Sequence, residues 1–389
     1  MIIQSSRVWI AGTFTPAQIE IQRKKITAIH TYGSKTVDID YQTLRILPGF
    51  IDLHTHGAYG YDTNDGTEQG LLHWIEHIPE EGVTALLPTT VTQMPDILYK
   101  AVKNVAAVIE RQQSHDSALS GAEILGIHFE GPFLDMEYKG AQPAAAIARP
   151  DVVQFENYQK AAKGWIRYIT LSPEHDKDFS LTRHCQAEGV TVSIGHSSAT
   201  YEEAVLAAAN GATSMTHVFN GMRPFHHRTP GLTGAALTLP NVYGEIIADG
   251  NHSHLAALKL FFQAKGNDHA ILVSDSLCAK HGTQGADYQL GGQAIRVGED
   301  GLARLSGTDT IAGSTLAINE GLRILIEEAG ISPHQAINAC TLNPAKCLGI
   351  HHRKGKIQAG FDADLVILKD NYAVHTTFCR GVIKFCAEE

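Results

Sequence analysis

The 389-residue sequence lacks several features that mark particular classes of protein. It has no long run of charge of one sign, and its formal net charge is −10. Nucleic acids and anionic membranes favour basic patches, so the sequence predicts neither as a partner. No apolar run approaches the roughly 20 residues that span a bilayer, and the first residues, MIIQSSRVWIAG, lack the pattern of a signal peptide.

The six cysteines form no CxxC pair and have no regular spacing. In a chain of this length they indicate reduced core thiols, and hence a cytoplasmic protein. Hydrophobic residues make up 43% of the chain and charged residues 19%, which is ordinary for a globular protein. The length allows one large core and a smaller one.

The two ends of the chain share a pattern that the middle lacks. Residues 1–47 and 355–389 alternate in the strand period and are broken by Gly and Pro. Neither segment is large enough to fold well alone. We therefore predict that they form one small β-sandwich domain together.

Residues 48–354 alternate short apolar runs with helical stretches, which predicts βα units in an α/β fold. The runs are GFIDLHT, TALLPTT, ILGIHFE, IRYITLS, TVSIGH, TSMTH, YGEIIAD and AILVSD. Eight such strands predict a closed (β/α)8 barrel of the TIM type. Two clear helices are predicted at 199–210, with Ser198 as N-cap, and at 314–329, stopped by Gly330.

Six side chains suited to metal binding fall near the ends of these runs. Parallel barrel strands bring such ends to one face, and imidazoles with carboxylates are what a hydrolytic metal site needs. The six are His54, His56, Glu130, His196, His217 and Asp275.

Each of these residues also has an ordinary explanation. His54 and His56 are two apart, so on a strand both leave the same face, but HxH also occurs by chance. Glu130 fits a helix cap or loop carboxylate as well as a ligand. The run IRYITLS contains no lysine that could be carbamylated as a bridge, so Glu130 is the natural bridging group.

His196 and His217 would each, alone, fit a buried or loop histidine. Together with Glu130 they supply three ligands and leave a position for water, as in a catalytic site. Asp275 fits a ligand, a cap or a general base, and its place at the closing strand favours the base. Cys278 has no histidine paired with it in sequence, so we interpret it as structural.

A second polar group suggests a substrate site. Asn220, Gly221 and Arg228 lie in HVFNGMRPFHHRTPG, and His252 lies in ADGNHSH. An arginine suits phosphate oxygens and a histidine can add a donor, but a loop arginine is usually a solvated charge. These residues alone therefore do not predict a phosphate.

Over essentially its whole length, the chain closely resembles the N-acetylglucosamine-6-phosphate deacetylases of the amidohydrolase superfamily. The resemblance rests on PGFIDLHTHG, HFEGPF, YKGAQPA, IGHSSATYEEA, THVFNGMRPFHHRTPG, IADGNHSH, LVSDS and AGSTL, in that order. NPAKCLGI followed by KGKIQAGFDADLVIL is similar to the return from the barrel to the small domain.

The resemblance implies a metal-dependent hydrolase that removes the acetyl group from N-acetylglucosamine-6-phosphate. It implies one or two divalent cations per subunit, Zn²⁺ or Fe²⁺, held by Glu130, His196 and His217, with Asp275 as acid/base. It also implies a homodimer in which Arg228 reaches the phosphate bound by the neighbour. The implied substrate pocket is lined by Ala141, Gln142, Asn220, Gly221 and His252 and is closed by Ile311, Ala312 and Gly313.

Two departures within the family bear on the metal content. Some relatives lack the pair that matches His54 and His56, and some carry a histidine where this chain has Gln142. We hypothesise that the two features compensate. A second cation on His54 and His56 would then take over the polarisation of the acetyl carbonyl.

Three alternatives remain open at this stage. A cyclic-amide hydrolase or a deaminase would share the barrel and ligands but would have no use for Arg228 and His252. A non-catalytic metal-binding relative would typically lose the acid/base, whereas Asp275 is present. An enzyme for N-acetylgalactosamine-6-phosphate could share every motif.

Overall fold

The computed structural model describes residues 1–114, 121–283 and 286–388. Its larger part is a barrel of eight strands, each parallel to the next. Beyond the last strand, Asp275 N donates to His54 O at 2.8 Å and joins it to the first. The predicted barrel is therefore confirmed. Its strands are Phe50–Thr55 (β1), Val83–Thr90 (β2), Ile127–Glu130 (β3), Ile166–Leu171 (β4), Thr191–Ile194 (β5), Ala212–Met215 (β6), Tyr243–Ile247 (β7) and Ala270–Val273 (β8).

Within the described residues, an α-helix follows each of the first seven strands, and three α-helices follow the eighth. They are Glu68–His77 (α1), Pro95–Gln113 (α2), Val152–Ala161 (α3), Ser180–Ala187 (α4), Tyr201–Ala209 (α5), Gly231–Thr238 (α6), Leu255–Lys265 (α7), Ile318–Arg323 (α8), Pro333–Cys340 (α9) and Leu342–Cys347 (α10). In α2, Leu98, Val102, Val105 and Ile109 recur at helical spacing and are buried. Among the described helices, none is long and apolar enough to cross a membrane.

The N-cap prediction for α5 is wrong. Thr200, not Ser198, caps the helix: its hydroxyl accepts from Glu203 N at 3.2 Å, and Glu203 Oε2 accepts from Thr200 N at 2.7 Å. Such a reciprocal pair satisfies two otherwise free N–H groups. Ser198 N instead donates to Glu174 Oε1 at 2.6 Å, which holds it outside the helix.

The helix predicted at 314–329 is shorter than expected. Ser314 bridges to Ser276 in parallel, and its backbone N donates to Asp275 O at 2.8 Å, so the chain is extended there. The α-helix spans only Ile318–Arg323, and Ile324–Glu328 continues it as a π-helix. The backbone hydrogen bond from Ser314 to Asp275 outweighs the local helical pattern and keeps residues 311–314 beside the barrel mouth.

The two ends of the chain form one continuous sheet. Leu365–Leu368 pairs antiparallel with Arg45–Pro48, which joins the C-terminal strands to the N-terminal ones. The sheet has an apolar core of its own, with Ile3, Ile46 and Phe378 fully buried. The prediction of a small β domain from both ends is confirmed, while its bounds at 47 and 355 stay a prediction. Its strands are Ile2–Ile10, Thr13–Gln22, Lys25–Thr31, Ile39–Asp40, Arg45–Pro48, Leu365–Leu368, Val374–Cys379 and Val382–Cys386.

Several shorter strands lie outside the eight barrel strands. After β8, an antiparallel sheet consists of Tyr288–Leu290, Gln293–Val297 and Ala303–Leu305. Gly57–Ala58 pairs with Tyr61–Asp62, and Glu123–Ile124 pairs with β2.

Candidate active site

The five predicted metal-binding side chains and the predicted acid/base, Asp275, meet at the C-terminal end of the barrel. Glu130, the last residue of β3, lies at their centre and is 1% exposed. Its Oε1 is 3.4 Å from the Nε2 atoms of His54, His196 and His217, and its Oε2 is 3.4 Å from His56 Nε2. One carboxylate therefore contacts all four imidazoles.

Asp275 completes the cluster from the other side. Its Oδ1 is 3.4 Å from His54 Nε2 and 3.2 Å from His56 Nε2. The side chains thus form two sets of possible ligands, joined through the Glu130 carboxylate. The first set is Glu130, His196 and His217, and the second is His54, His56 and Asp275.

Three of these residues have backbone angles that side chains rarely adopt. His196, His217 and Asp275 have φ values of +47°, +29° and +48°. Left-handed backbone costs a non-glycine residue about 1–2 kcal/mol. Residues held in this way concentrate at functional sites, where the surrounding structure overdetermines them.

Each imidazole is oriented by a contact at Nδ1. The acceptors are Glu245 Oε2 for His54 (2.9 Å), Thr89 O for His56 (3.2 Å), Tyr138 O for His196 (2.9 Å) and Asn220 O for His217 (3.0 Å). Because these oxygens accept the Nδ1 proton, Nε2 is the ring atom of each histidine that faces the centre of the cluster and can bind a cation there.

Two buried atoms at the centre have no hydrogen-bond partner among the residues that the structure describes. They are His54 Nε2 and Glu130 Oε1. Leaving a buried polar atom unpaired costs about 1–3 kcal/mol. Divalent cations bound by the two ligand sets would satisfy both atoms, and imidazole with carboxylate suits several first-row metals. The residues present therefore fit a metal site.

The carboxylates around the cluster stabilise positive charge on its histidines. Burial alone would lower the pKa of His54, but the carboxylates of Glu130, Asp275 and Glu245 raise it to about 10. Burial alone would raise the pKa of Asp275, yet the charges of His54 and His56 hold it below its usual range. Asp275 is therefore ionised at neutral pH, as a general base must be.

The cluster forms the floor of a pocket. Gly140 and Leu290 also line it and were not predicted. Gly140 directly precedes Ala141 in the motif YKGAQPA, which was the available signal, whereas sequence offers none for Leu290. Of the predicted substrate residues, the pocket is lined by Ala141, Gln142, Asn220, Gly221, His252, Ile311, Ala312 and Gly313.

Arg228 is the predicted substrate residue that this pocket does not include. Its side chain is exposed, and its guanidinium lies 3.0 Å from His227 Nε2 on the same loop. Among the described residues that line the pocket, none is a lysine or an arginine.

Gln142 is held by the cluster itself. Its Nε2 donates to Glu130 Oε2 at 2.7 Å, and its Oε1 accepts from Thr92 N at 2.8 Å. The side-chain amide therefore orients the central carboxylate.

Glu245 is the main residue that sequence reasoning missed. It is the acidic residue in the apolar run YGEIIAD, and a charge inside such a run was the available signal. In the structure it is fully buried on β7 beside His54. His128 packs on the same imidazole, with ring centroids 4.5 Å apart.

A barrel that carries such ligand sets at its mouth is typical of metal-dependent hydrolases. The family model described as the Amidohydrolase family matches residues 45–384 of this chain. The chain is 44% identical over 346 residues to the N-acetylglucosamine-6-phosphate deacetylase of Bacillus subtilis (strain 168), which covers 88% of this chain and 85% of that protein. The human protein of the same name is 35% identical, with 88% and 84% covered. The chain therefore belongs to the N-acetylglucosamine-6-phosphate deacetylase family.

Solved structures of that family share the whole fold. A mutant of the Mycobacterium smegmatis deacetylase in complex with N-acetyl-D-glucosamine-6-phosphate has a TM-score of 0.90, with 30% identity and 99% of each chain covered. The deacetylase of Thermotoga maritima has a TM-score of 0.87, with 29% identity and 100% of each chain covered.

Proposed function

We propose that this chain hydrolyses the acetamide of N-acetylglucosamine-6-phosphate to glucosamine-6-phosphate and acetate. The observation that carries this proposal is a pocket with two joined ligand sets at its floor and the predicted sugar-binding residues in its walls. The names of the relatives, at up to 44% identity, support the substrate.

Glu130, His196 and His217 would hold one divalent cation, Zn²⁺ or Fe²⁺, and His54 and His56 would hold a second, with Glu130 shared between the two sets. Such cations, when bound, polarise an acyl oxygen and lower the pKa of water to about 7. Gln142 keeps Glu130 in place between the two sets through its 2.7 Å hydrogen bond.

Asp275 would move the proton. Its carboxylate accepts a proton from water as the water oxygen bonds to the acetyl carbon. It then gives this proton to the amide nitrogen as the C–N bond breaks, so acetate and the free amine are released.

His252 and Arg228 would bind the phosphate. His252 lies in the pocket wall, and its Nδ1 is 2.6 Å from Asp249 Oδ2, which leaves Nε2 for a ligand. Arg228 lies outside its own pocket, so we propose that it completes the pocket of the partner in a homodimer. Contacts far from the reacting bond serve to position the substrate.

A substrate panel tests the reaction. We expect acetate release from N-acetylglucosamine-6-phosphate, with much slower release from N-acetylglucosamine. Faster turnover of N-acetylgalactosamine-6-phosphate would reassign the sugar. Turnover of hydantoins or purines without deacetylation would reassign the reaction class.

Replacing His54 with asparagine tests the number of cations. The variant loses a ligand of the second set but none of the first, so we expect its metal content to fall from two equivalents to one. Metal analysis of active protein measures this directly. One equivalent in the unchanged protein, together with a harmless His54→Asn, would contradict the two-cation site.

Replacing Arg228 with methionine tests the phosphate contact. We expect KM for the phosphorylated substrate to rise about 10-fold or more, because a charge-assisted hydrogen bond contributes about 1.5–3 kcal/mol. Hydrolysis of N-acetylglucosamine should change little. An equal loss with both substrates would contradict the phosphate role.

Hybrid dimers show from which subunit Arg228 acts. One subunit carries Arg228→Met and the other Asp275→Asn, so each homodimer is impaired. If Arg228 acts on the neighbour, each hybrid contains one complete site and activity returns on mixing. If it acts within its own subunit, no complete site forms and activity stays low.

The cellular location stays a prediction. All six cysteines are unpaired, which accords with the reduced thiols expected in a cytoplasmic protein. We propose the cytoplasm as the site of action.

A further inference from the structure

His54 differs from the other three histidines of the cluster in what it contacts at Nδ1. For His56, His196 and His217 the acceptor is a backbone carbonyl. For His54 it is a side-chain carboxylate, Glu245 Oε2, at 2.9 Å. A carboxylate brings a full negative charge behind the ring, whereas a carbonyl brings only a dipole.

The surroundings of Glu245 direct that charge to His54. Glu245 is 0% exposed, and burying a carboxylate is costly unless a positive partner offsets it. Among the residues that the structure describes, its ion-pair partner is His54. Its other oxygen, Oε1, lies 2.6 Å from the Tyr168 hydroxyl, so Oε2 is left for His54.

We infer that Glu245 is a positioning residue for the second cation, an inference that rests on the proposed two-cation site. An imidazole that binds a metal through Nε2 must carry its proton on Nδ1. Glu245 accepts that proton and so selects the ligating form of His54. Its charge also makes Nε2 a more basic ligand, as carboxylates behind metal-bound histidines do.

The effect is specific to the second ligand set. Among the hydrogen bonds of the described residues, Glu245 reaches the first set through one long contact, 3.3 Å, to the backbone N of His217. The imidazoles of His196 and His217 have their own carbonyl acceptors. Loss of the Glu245 charge should therefore weaken binding of the second cation and leave binding of the first unchanged.

The test replaces Glu245 with glutamine, which keeps the shape of the side chain and removes the charge. The full-length apoenzyme is titrated with Zn²⁺ against a competing chelator, and the two dissociation constants are fitted. We expect the second equivalent to bind about 10–100-fold more weakly and the first to bind as before. Tyr168→Phe removes only the hydrogen bond to Glu245 Oε1, so it should weaken binding of the second equivalent less than Glu245→Gln does.

Ser214→Ala is the matched control. Ser214 Oγ lies 2.6 Å from the same Tyr168 hydroxyl but does not contact His54 or Glu245 by hydrogen bond. Both equivalents should bind to this variant as they do to the unchanged protein. A loss of the second equivalent here as large as in Glu245→Gln would mean that any change in this polar group disturbs the site, which would overturn the inference.

The remaining outcomes separate the inference from the proposed function. Two equivalents that bind normally to Glu245→Gln would overturn the role of Glu245 and leave the two-cation site standing. A single equivalent in the unchanged protein would overturn the second site and the inference with it. Equal weakening of both equivalents, with a lower unfolding temperature of the apoenzyme, would assign Glu245 a structural role and overturn the inference.

Discussion

Asp275→Asn should lose nearly all turnover while it still binds substrate. Asparagine has the shape of aspartate but cannot accept the proton of the attacking water. Removing a general acid/base typically costs about 10²–10⁴-fold in rate. Steady-state kinetics give kcat, and calorimetry with intact substrate gives the affinity, which should stay close to that of the unchanged protein.

Metal analysis separates the two possible roles of Asp275. Its Oδ1 lies 3.2 Å from His56 Nε2, so the residue is also placed to ligate the second cation. If added metal restores turnover to Asp275→Asn, the residue is a ligand and its role as base is wrong. Cys278→Ser is the control: burial raises the pKa of this thiol to about 12, and we expect full activity without it.

Gly221→Ala should cost about as much as loss of a metal ligand. The added Cβ would lie 2.9 Å from His196 Nδ1 and 3.3 Å from His217 Cε1. Both imidazoles belong to the first ligand set, so they would have to shift from their present positions around Glu130. A displacement of about 1 Å at a catalytic group can cost about 100-fold in rate. Metal content and kcat should fall together.

Gly140→Ala is the matched control for this prediction. Gly140 and Gly221 have nearly equal φ values, +56° and +58°, so alanine strains the backbone similarly at both. The Cβ at Gly140 would lie 3.5 Å from the nearest atom, His196 Cε1, which is an ordinary contact. We expect Gly140→Ala to keep its metal and most of its activity. Equal losses in the two variants would attribute the effect to backbone strain.

Much of the barrel could be predicted because its signals are local. Apolar runs such as AILVSD read as buried strands, and residues that follow such runs reach one end of a parallel barrel. His54 and His56 could be placed on one side of a strand because their spacing equals the strand period. The motifs and their order then indicated one family of enzymes.

Local signals failed where a distant partner decides the conformation. Ser198 looks like a helix cap, but the Glu174 carboxylate on another loop binds its backbone N–H. Residues 314–317 look helical, but Ser314 is bonded to the backbone of Asp275. In both cases a tertiary hydrogen bond outweighs a local propensity of at most about 1 kcal/mol per residue.

The sequence by itself determined the barrel, the six candidate site residues and the family. Strand periodicity and short motifs can be read from residues that are close together in the chain, and the order of the motifs can be read along it. Only the tertiary structure decided how these groups act on one another. It placed the Glu130 carboxylate against four imidazoles, put the Glu245 carboxylate behind the His54 imidazole and left Arg228 outside its own pocket. Such relations depend on distances across the barrel between residues far apart in the chain, and side-chain charges interact through space.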